Sequence, residues 1–283
     1  MHEDDTLSLI VQDITPSPAA NLAMEADLSR VEDALAALDI PSARMGSQAR
    51  QTRLAEHRVA DLAISMDPTD GPLAQLADGL QALLPAAQVR RSRVGLEVAW
   101  MDHALDLWPR GPDPDQTADE PRYAALGPGH ARWYLEETQG RLTPVILGLK
   151  HHRRCVPALQ VLPPFALEVL AVTLLGPDHT LPLPTAFAAI LAALAQGLLS
   201  PGGELDVLPD PVDPEHDLLA RVPVAARLDL LRVAARALRA VERDAWSVVF
   251  PERRIDAPLG ARPPARPPGR RRPSASLPPG VAP

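Results

Sequence analysis

The sequence predicts an α+β amino-terminal half joined to an all-α carboxy-terminal half, and three observations carry that reading. Between Val59 and Pro109 apolar residues recur roughly every second position in short runs, as in strands half-buried in a sheet. From Gly129 onward the period changes to 3.6, and helices open at proline after proline. Strands come first and helices follow, so the two regimes separate into a mixed layer and a helical lobe.

The elements follow in order. Residues 1–20 read as a flexible arm. Asn21 then offers an N-cap to a helix carrying Met24, Leu28, Val31, Leu35 and Leu38, closed by Pro41. A short strand ends near Met45, Gly46-Ser47 make a turn, and Val59–Met66 form a strand. Gly71–Leu84 is a helix entered through Pro72. Arg93–Trp100 and His103–Pro109 are two strands joined at Met101-Asp102, the spacing of a hairpin. Residues 111–121 are a polar loop. Thr143 caps a helix with Pro144 at its first position, and further helices begin near Pro164, Pro184 and Pro223. Beyond Arg254, nine prolines and low hydrophobicity predict a disordered tail over residues 255–283. The expected divisions are thus 1–20, 21–125, 126–254 and 255–283.

Composition narrows the function classes. The net charge is −8, yet five tail arginines (Arg262, Arg266, Arg270, Arg271, Arg272) carry +5, which leaves −13 on the rest. Such a body is poorly suited to nucleic acid, whereas the tail could bind polyanions. A single cysteine, Cys155, excludes an intrachain disulfide. The acidic start is no secretory signal, and the longest apolar run, Phe187–Leu199, is too short to span a bilayer. These features predict a cytoplasmic protein without membrane attachment. Lys150 is the one lysine beside 27 arginines, in a chain that otherwise uses arginine for every positive side-chain charge. His151, His152 and Cys155 lack a second ligand pair at zinc spacing and read as a surface-facing helix segment.

The stretch "MGSQARQTRLAEHRVADLAI" (Met45–Ile64) concentrates the candidate chemistry. A Gly-Ser turn lets backbone N–H groups and a hydroxyl approach phosphates. Carboxylates at i and i+2 of a strand face one side and can share a divalent metal with a third from the next strand. Gly46, Ser47, Arg50, Thr52 and Asp61 match, without a gap, the G-S-x-x-R-x-T…D-x-D signature of the 2′-5′-oligoadenylate synthetases and the bacterial cyclic-oligonucleotide synthases (CD-NTases). The chain resembles that family at three further points. "LDLWP" is similar to its D-L-V-P strand, "GRLTPVILGLKHHRRC" to its helix bearing a phosphate-contacting lysine, and "LPPFALEVL" with "LPDPVDPEHDLLARV" to segments of its helical lobe.

The resemblance implies a polymerase-beta-like nucleotidyltransferase core, with nucleoside triphosphates bound in the cleft before the helical lobe. It implies metal ligation by Asp61 and Asp106, with Mg2+ or Mn2+, and phosphate contacts from Gly46, Ser47, Arg50, Thr52 and Lys150. Phe165 takes the position of a base-stacking aromatic, although an aromatic at helical spacing equally suits a core. Members make linear or cyclic oligonucleotide signals, in bacteria during phage infection. In that register Val59 replaces the first aspartate, and valine cannot coordinate a metal. The hairpin register sets Glu97 opposite Asp106, which makes Glu97 a candidate replacement. Two readings follow: a pseudoenzyme that binds nucleotide or a protein partner in the old cleft, and an active transferase that uses Glu97.

Overall fold

Leu7, Ile10, Val11 and Ile14 stand at i, i+3, i+4 and i+7, and they form one buried stripe of helix α1 (Asp5–Ile14). Over these residues the expected flexible arm is instead a packed helix. Its stripe joins the core of the helical lobe. The computed structural model describes residues 5–251 apart from 68, 93–94, 101, 111–118 and 177–179. The arginine-proline tail, the Met101 corner of the hairpin and most of the expected 111–121 loop lie outside the described residues.

Helix α2 (Pro18–Ala37) starts before Asn21. Ser17 caps it by accepting from the Ala20 amide at 3.2 Å, with Pro18 following, while the Asn21 side chain accepts from Arg53 at 3.0 Å. Strand β1 (Ser42–Met45) leads into the one-turn helix α3 (Gly46–Ala49), then β2 (Val59–Ser65) and helix α4 (Asp70–Leu83). Three strands follow: β3 (Gln88–Arg91), β4 (Leu96–Ala99) and β5 (Ala104–Arg110). Strand β3 is an addition to the sequence reading, because its Gln-Val-Arg-Arg run is mostly exposed and has no apolar alternation.

The five strands form one mixed sheet in the order β1-β2-β5-β4-β3, with β2 and β5 parallel and every other pair antiparallel. Alternation then decides the faces. Ala60, Leu62, Ile64, Leu96, Val98, Leu105 and Leu107 point to one side, where Met24, Leu28, Val31 and Leu35 of α2 and Leu73, Leu76 and Leu80 of α4 cover them. The opposite face presents Val59, Asp61, Asp106 and Trp108 toward the rest of the molecule.

Helix α5 (Asp119–Thr138) crosses that face and carries the chain into the helical lobe. It begins well before Gly129 and runs through Gly127-Pro128-Gly129. Packing overrides the helix breakers there. A side chain at Gly127 would meet Met45 at 2.9 Å, and one at Gly129 would meet Val212 at 2.9 Å, so glycine is what lets α5 lie this close. Helix α6 (Thr143–Cys155), a 3-10 turn (Pro157–Val161), α7 (Pro164–Leu175), α8 (Leu183–Ala195), α9 (Val224–Val241) and α10 (Trp246–Val249) complete the lobe. Its core is a second cluster centred on Tyr134, Phe187, Ile190 and Phe250. His152 (2% exposed) and Cys155 (7%) are buried in it, so this part of α6 faces inward and not the surface as expected. Among the described residues no helix is long and apolar enough to cross a membrane.

Candidate functional site

Between the sheet and the helical lobe lies a cavity of about 930 Å3. Ser47, Arg50 and Asp61 line it from the sheet side, and Lys150 and Phe165 line it from the lobe. Residues separated by more than a hundred positions therefore meet at one cleft. Trp108, Tyr123 and His130 also line it, as do Arg153, Arg154 and Arg221, so a local concentration of arginine sits within a strongly acidic body.

The cleft floor is a buried ionic clamp. Arg50 donates from Nε to Glu168 Oε2 at 2.7 Å and from Nη2 to Oε1 at 3.0 Å. Lys150 Nζ lies 2.7 Å from Glu168 Oε1 and donates to the Thr52 hydroxyl at 2.8 Å and the Thr52 carbonyl at 3.0 Å. The Thr52 hydroxyl in turn donates to Glu168 at 3.2 Å. Thr52 and Glu168 are wholly buried, and Arg50 and Lys150 nearly so. Burial opposes ionisation of Glu168, but Arg50 and Lys150 override it and hold the carboxyl down at about 2. Burial pulls the Lys150 ammonium below its usual range, and Glu168 works against that. Two cations share one carboxylate, and Arg50 Nη1 has no hydrogen-bond partner. Sequence reading missed Glu168. It stands three positions after Phe165 in the matching segment, where an acid on an otherwise apolar helix was the available signal.

Phe165 is half-buried at the cavity wall. Its ring centroid lies 4.3 Å from that of His130, and the Arg50 guanidinium carbon lies 4.9 Å from it. Behind it, His130 Nε2 is 2.9 Å from both carboxylate oxygens of Asp210, and both residues are buried. Asp210 also accepts from the amides of Val212 and Asp213, so the "LPDPVDPEHDLL" segment is fastened to α5 through this pair.

The carboxylates form a row along the sheet. Asp61 on β2 pairs in register with Asp106 on β5, and Asp106 pairs with Glu97 on β4. Burial, then the charges of Asp61 and Glu97, push the Asp106 carboxyl up to about 6. Burial also raises Asp61, partly offset by the Trp108 indole and Arg50. Asp61 Oδ1 accepts from Trp108 Nε1 at 2.9 Å, and its Oδ2 lies against Gly46. Gly46 has φ +73°, and a Cβ there would fall 2.1 Å from Asp61 Oδ2, so both backbone angle and space demand glycine. Tyr123 packs edge-on against Trp108 with 5.1 Å between centroids, and burial pushes its hydroxyl up to about 12.

The metal site implied by the resemblance would take carboxylate oxygens converging from three positions. Asp61 and Asp106 fit such a site as a pair. Val59, two residues before Asp61, is apolar and 40% exposed. Glu97 is turned to Arg90, at 2.7 Å from Nε and 2.5 Å from Nη2. Among the described residues no three metal-ligating side chains converge, so the donor set does not fit a three-carboxylate metal site in this arrangement.

A mixed sheet with Gly46-Ser47 at its edge, paired carboxylates on its open face and a helical lobe closing the cleft make a fold shared with solved structures of CdnC and of the Cid1 poly(U) polymerase. Escherichia coli MS115-1 CdnC in complex with HORMA-deltaN is 17% identical, covering 88% of this chain and 98% of that one with a TM-score of 0.66. CdnC with ATP is 19% identical over the same shares, with a TM-score of 0.62. A mutant of the Cid1 poly(U) polymerase bound to MgATP is 13% identical, covering 85% and 96% with a TM-score of 0.62. No protein-family model matches the chain, and no curated protein matches it in sequence.

Proposed function

We propose that this chain binds nucleoside triphosphates in the cleft between sheet and helical lobe, with nucleotidyl transfer impaired by the loss of a metal ligand at Val59. The observation that carries the proposal is the row on the open sheet face, where Asp61 and Asp106 stand side by side and Val59 supplies no oxygen. Mg2+ holds near-octahedral geometry and gives up water reluctantly, so two carboxylates retain it less well than three. Triphosphate binding rests on the other half of the site. Ser47 opens α3 at the cavity wall, and the clamp beneath carries one more positive than negative charge. Arg50, Lys150, Arg153 and Arg154 line the cavity and supply its positive charge. By its resemblance to oligonucleotide-signal synthases, the chain acts in cytoplasmic antiviral defence with a protein partner, as CdnC is found in complex with HORMA-deltaN.

The test is pyrophosphate release from mixed ribonucleoside triphosphates with Mg2+ or Mn2+, together with thermal shift by ATP. Wild type is expected to gain stability with ATP and release no pyrophosphate, whereas turnover by wild type would overturn the impairment. The second reading, an active enzyme using Glu97 as ligand, is favoured by the Glu97–Asp106 register. It requires Glu97 to leave Arg90, and under it Glu97→Ala abolishes turnover.

A further inference from the structure

Val59 is not the sole obstacle to a metal on this face. Trp108 is two residues beyond Asp106 on β5 and stands opposite Ala63 of β2, so its side chain projects from the same face as Asp61 and Asp106. From there the indole reaches diagonally to Asp61 and donates to Oδ1 at 2.9 Å. The other oxygen is pressed against Gly46, where no side chain fits. Tyr123 braces the indole edge-on. One oxygen of the central carboxylate is thus engaged by a hydrogen bond within the protein, and the other sits beside the Gly46 backbone.

We propose that Trp108 is a positioning residue that holds Asp61 out of metal coordination, so that the site is closed by two side chains, Val59 and Trp108. The inference rests on the reading of this face as a former metal site and extends it. Val59 removes a ligand, and Trp108 satisfies the half-buried carboxylate that a cation would otherwise neutralise. Restoring an aspartate at position 59 leaves the indole in place, and the second carboxylate stays engaged.

The experiment titrates Mn2+ alone into wild type, Val59→Asp, Trp108→Phe and the double variant, reading bound ion from the loss of the free Mn2+ EPR signal. Phenylalanine keeps a ring against Tyr123 and removes the N–H. The double variant is expected to bind Mn2+ measurably tighter than Val59→Asp, because the indole hydrogen bond no longer competes with the ion for the Asp61 carboxylate. Equal binding by Val59→Asp and the double variant would overturn the proposal. If Trp108→Phe does not fold, the same titration with Trp108→Leu replaces it, and thermal melting of Asp61→Asn against Asp61→Ala tests the bond. An asparagine oxygen still accepts from the indole, so the amide variant should melt close to wild type and the alanine variant several degrees lower. Equal losses would count against the assignment. Because no nucleotide is present, a failure of ATP to stabilise wild type would remove the triphosphate reading and leave this result standing.

Discussion

The buried clamp and the Asp61 end of the carboxylate row line one cleft, and their charges are satisfied in opposite ways. In the clamp Arg50, Thr52, Lys150 and Glu168 satisfy one another through short bonds, and the surplus is a single positive charge. In the row Asp61 and Asp106 crowd each other while their neighbours are a valine, an indole and a glutamate held by arginine. The cationic wall ties sheet to lobe, so the fold itself depends on it. The carboxylates of the anionic wall belong to neither hydrophobic core.

The sharpest way to break that comparison is Glu168→Ala. It leaves two buried cations without a carboxylate, a change that costs about 3–5 kcal/mol and is read as a lower urea midpoint. Asp106→Ala, on the other wall, should move the midpoint little. Equal effects would abolish the distinction drawn here.

Acid provides the next largest effect. The Glu168 carboxyl is held at about 2 in the folded chain against an ordinary 4.5, so the unfolded chain takes up its proton first. Its contribution is fully present above 4.5 and is lost as pH falls toward 2, on the order of 3 kcal/mol in all. Urea melts between pH 5 and 2 should show this loss, and Glu168→Gln should flatten it.

Gly46→Ala probes the join between the walls. A left-handed alanine costs roughly 1–2 kcal/mol, and displacing Asp61 Oδ2 adds to that. In an Asp61→Ala background the same substitution should cost only the backbone part, which a double-mutant cycle in urea would resolve.

The smallest effect has the opposite sign. Asp106 is pushed up to about 6 from 3.8, so the folded state holds its proton more tightly. Stability from that group is present below 3.8 and lost as pH rises through 6. Asp106→Asn should therefore raise the melting temperature at pH 7.5 and leave it unchanged near pH 3.5. The gain stays below about 1 kcal/mol, since the group is half in water.

Local pattern by itself determined much of this molecule. The alternation in β2 and β5 placed Asp61 and Asp106 on one face, and hairpin spacing set Glu97 against Asp106, because a strand's two-residue period leaves little freedom. The same period put Val59 in the row beside Asp61. Even α1, taken for an arm, carried its stripe in the spacing 7, 10, 11, 14. What only the tertiary structure decided is who meets whom. Lys150 reaches Glu168 and Thr52, Trp108 reaches Asp61, Arg90 turns Glu97 aside, and Arg50 and His130 pack against the Phe165 ring. Helix α5 also continues through Gly127-Pro128-Gly129, because Met45 and Val212 pack where side chains would otherwise stand. These outcomes depend on distances between residues far apart in the chain. Periodicity fixes the side a residue faces, and packing alone fixes the partner it finds there.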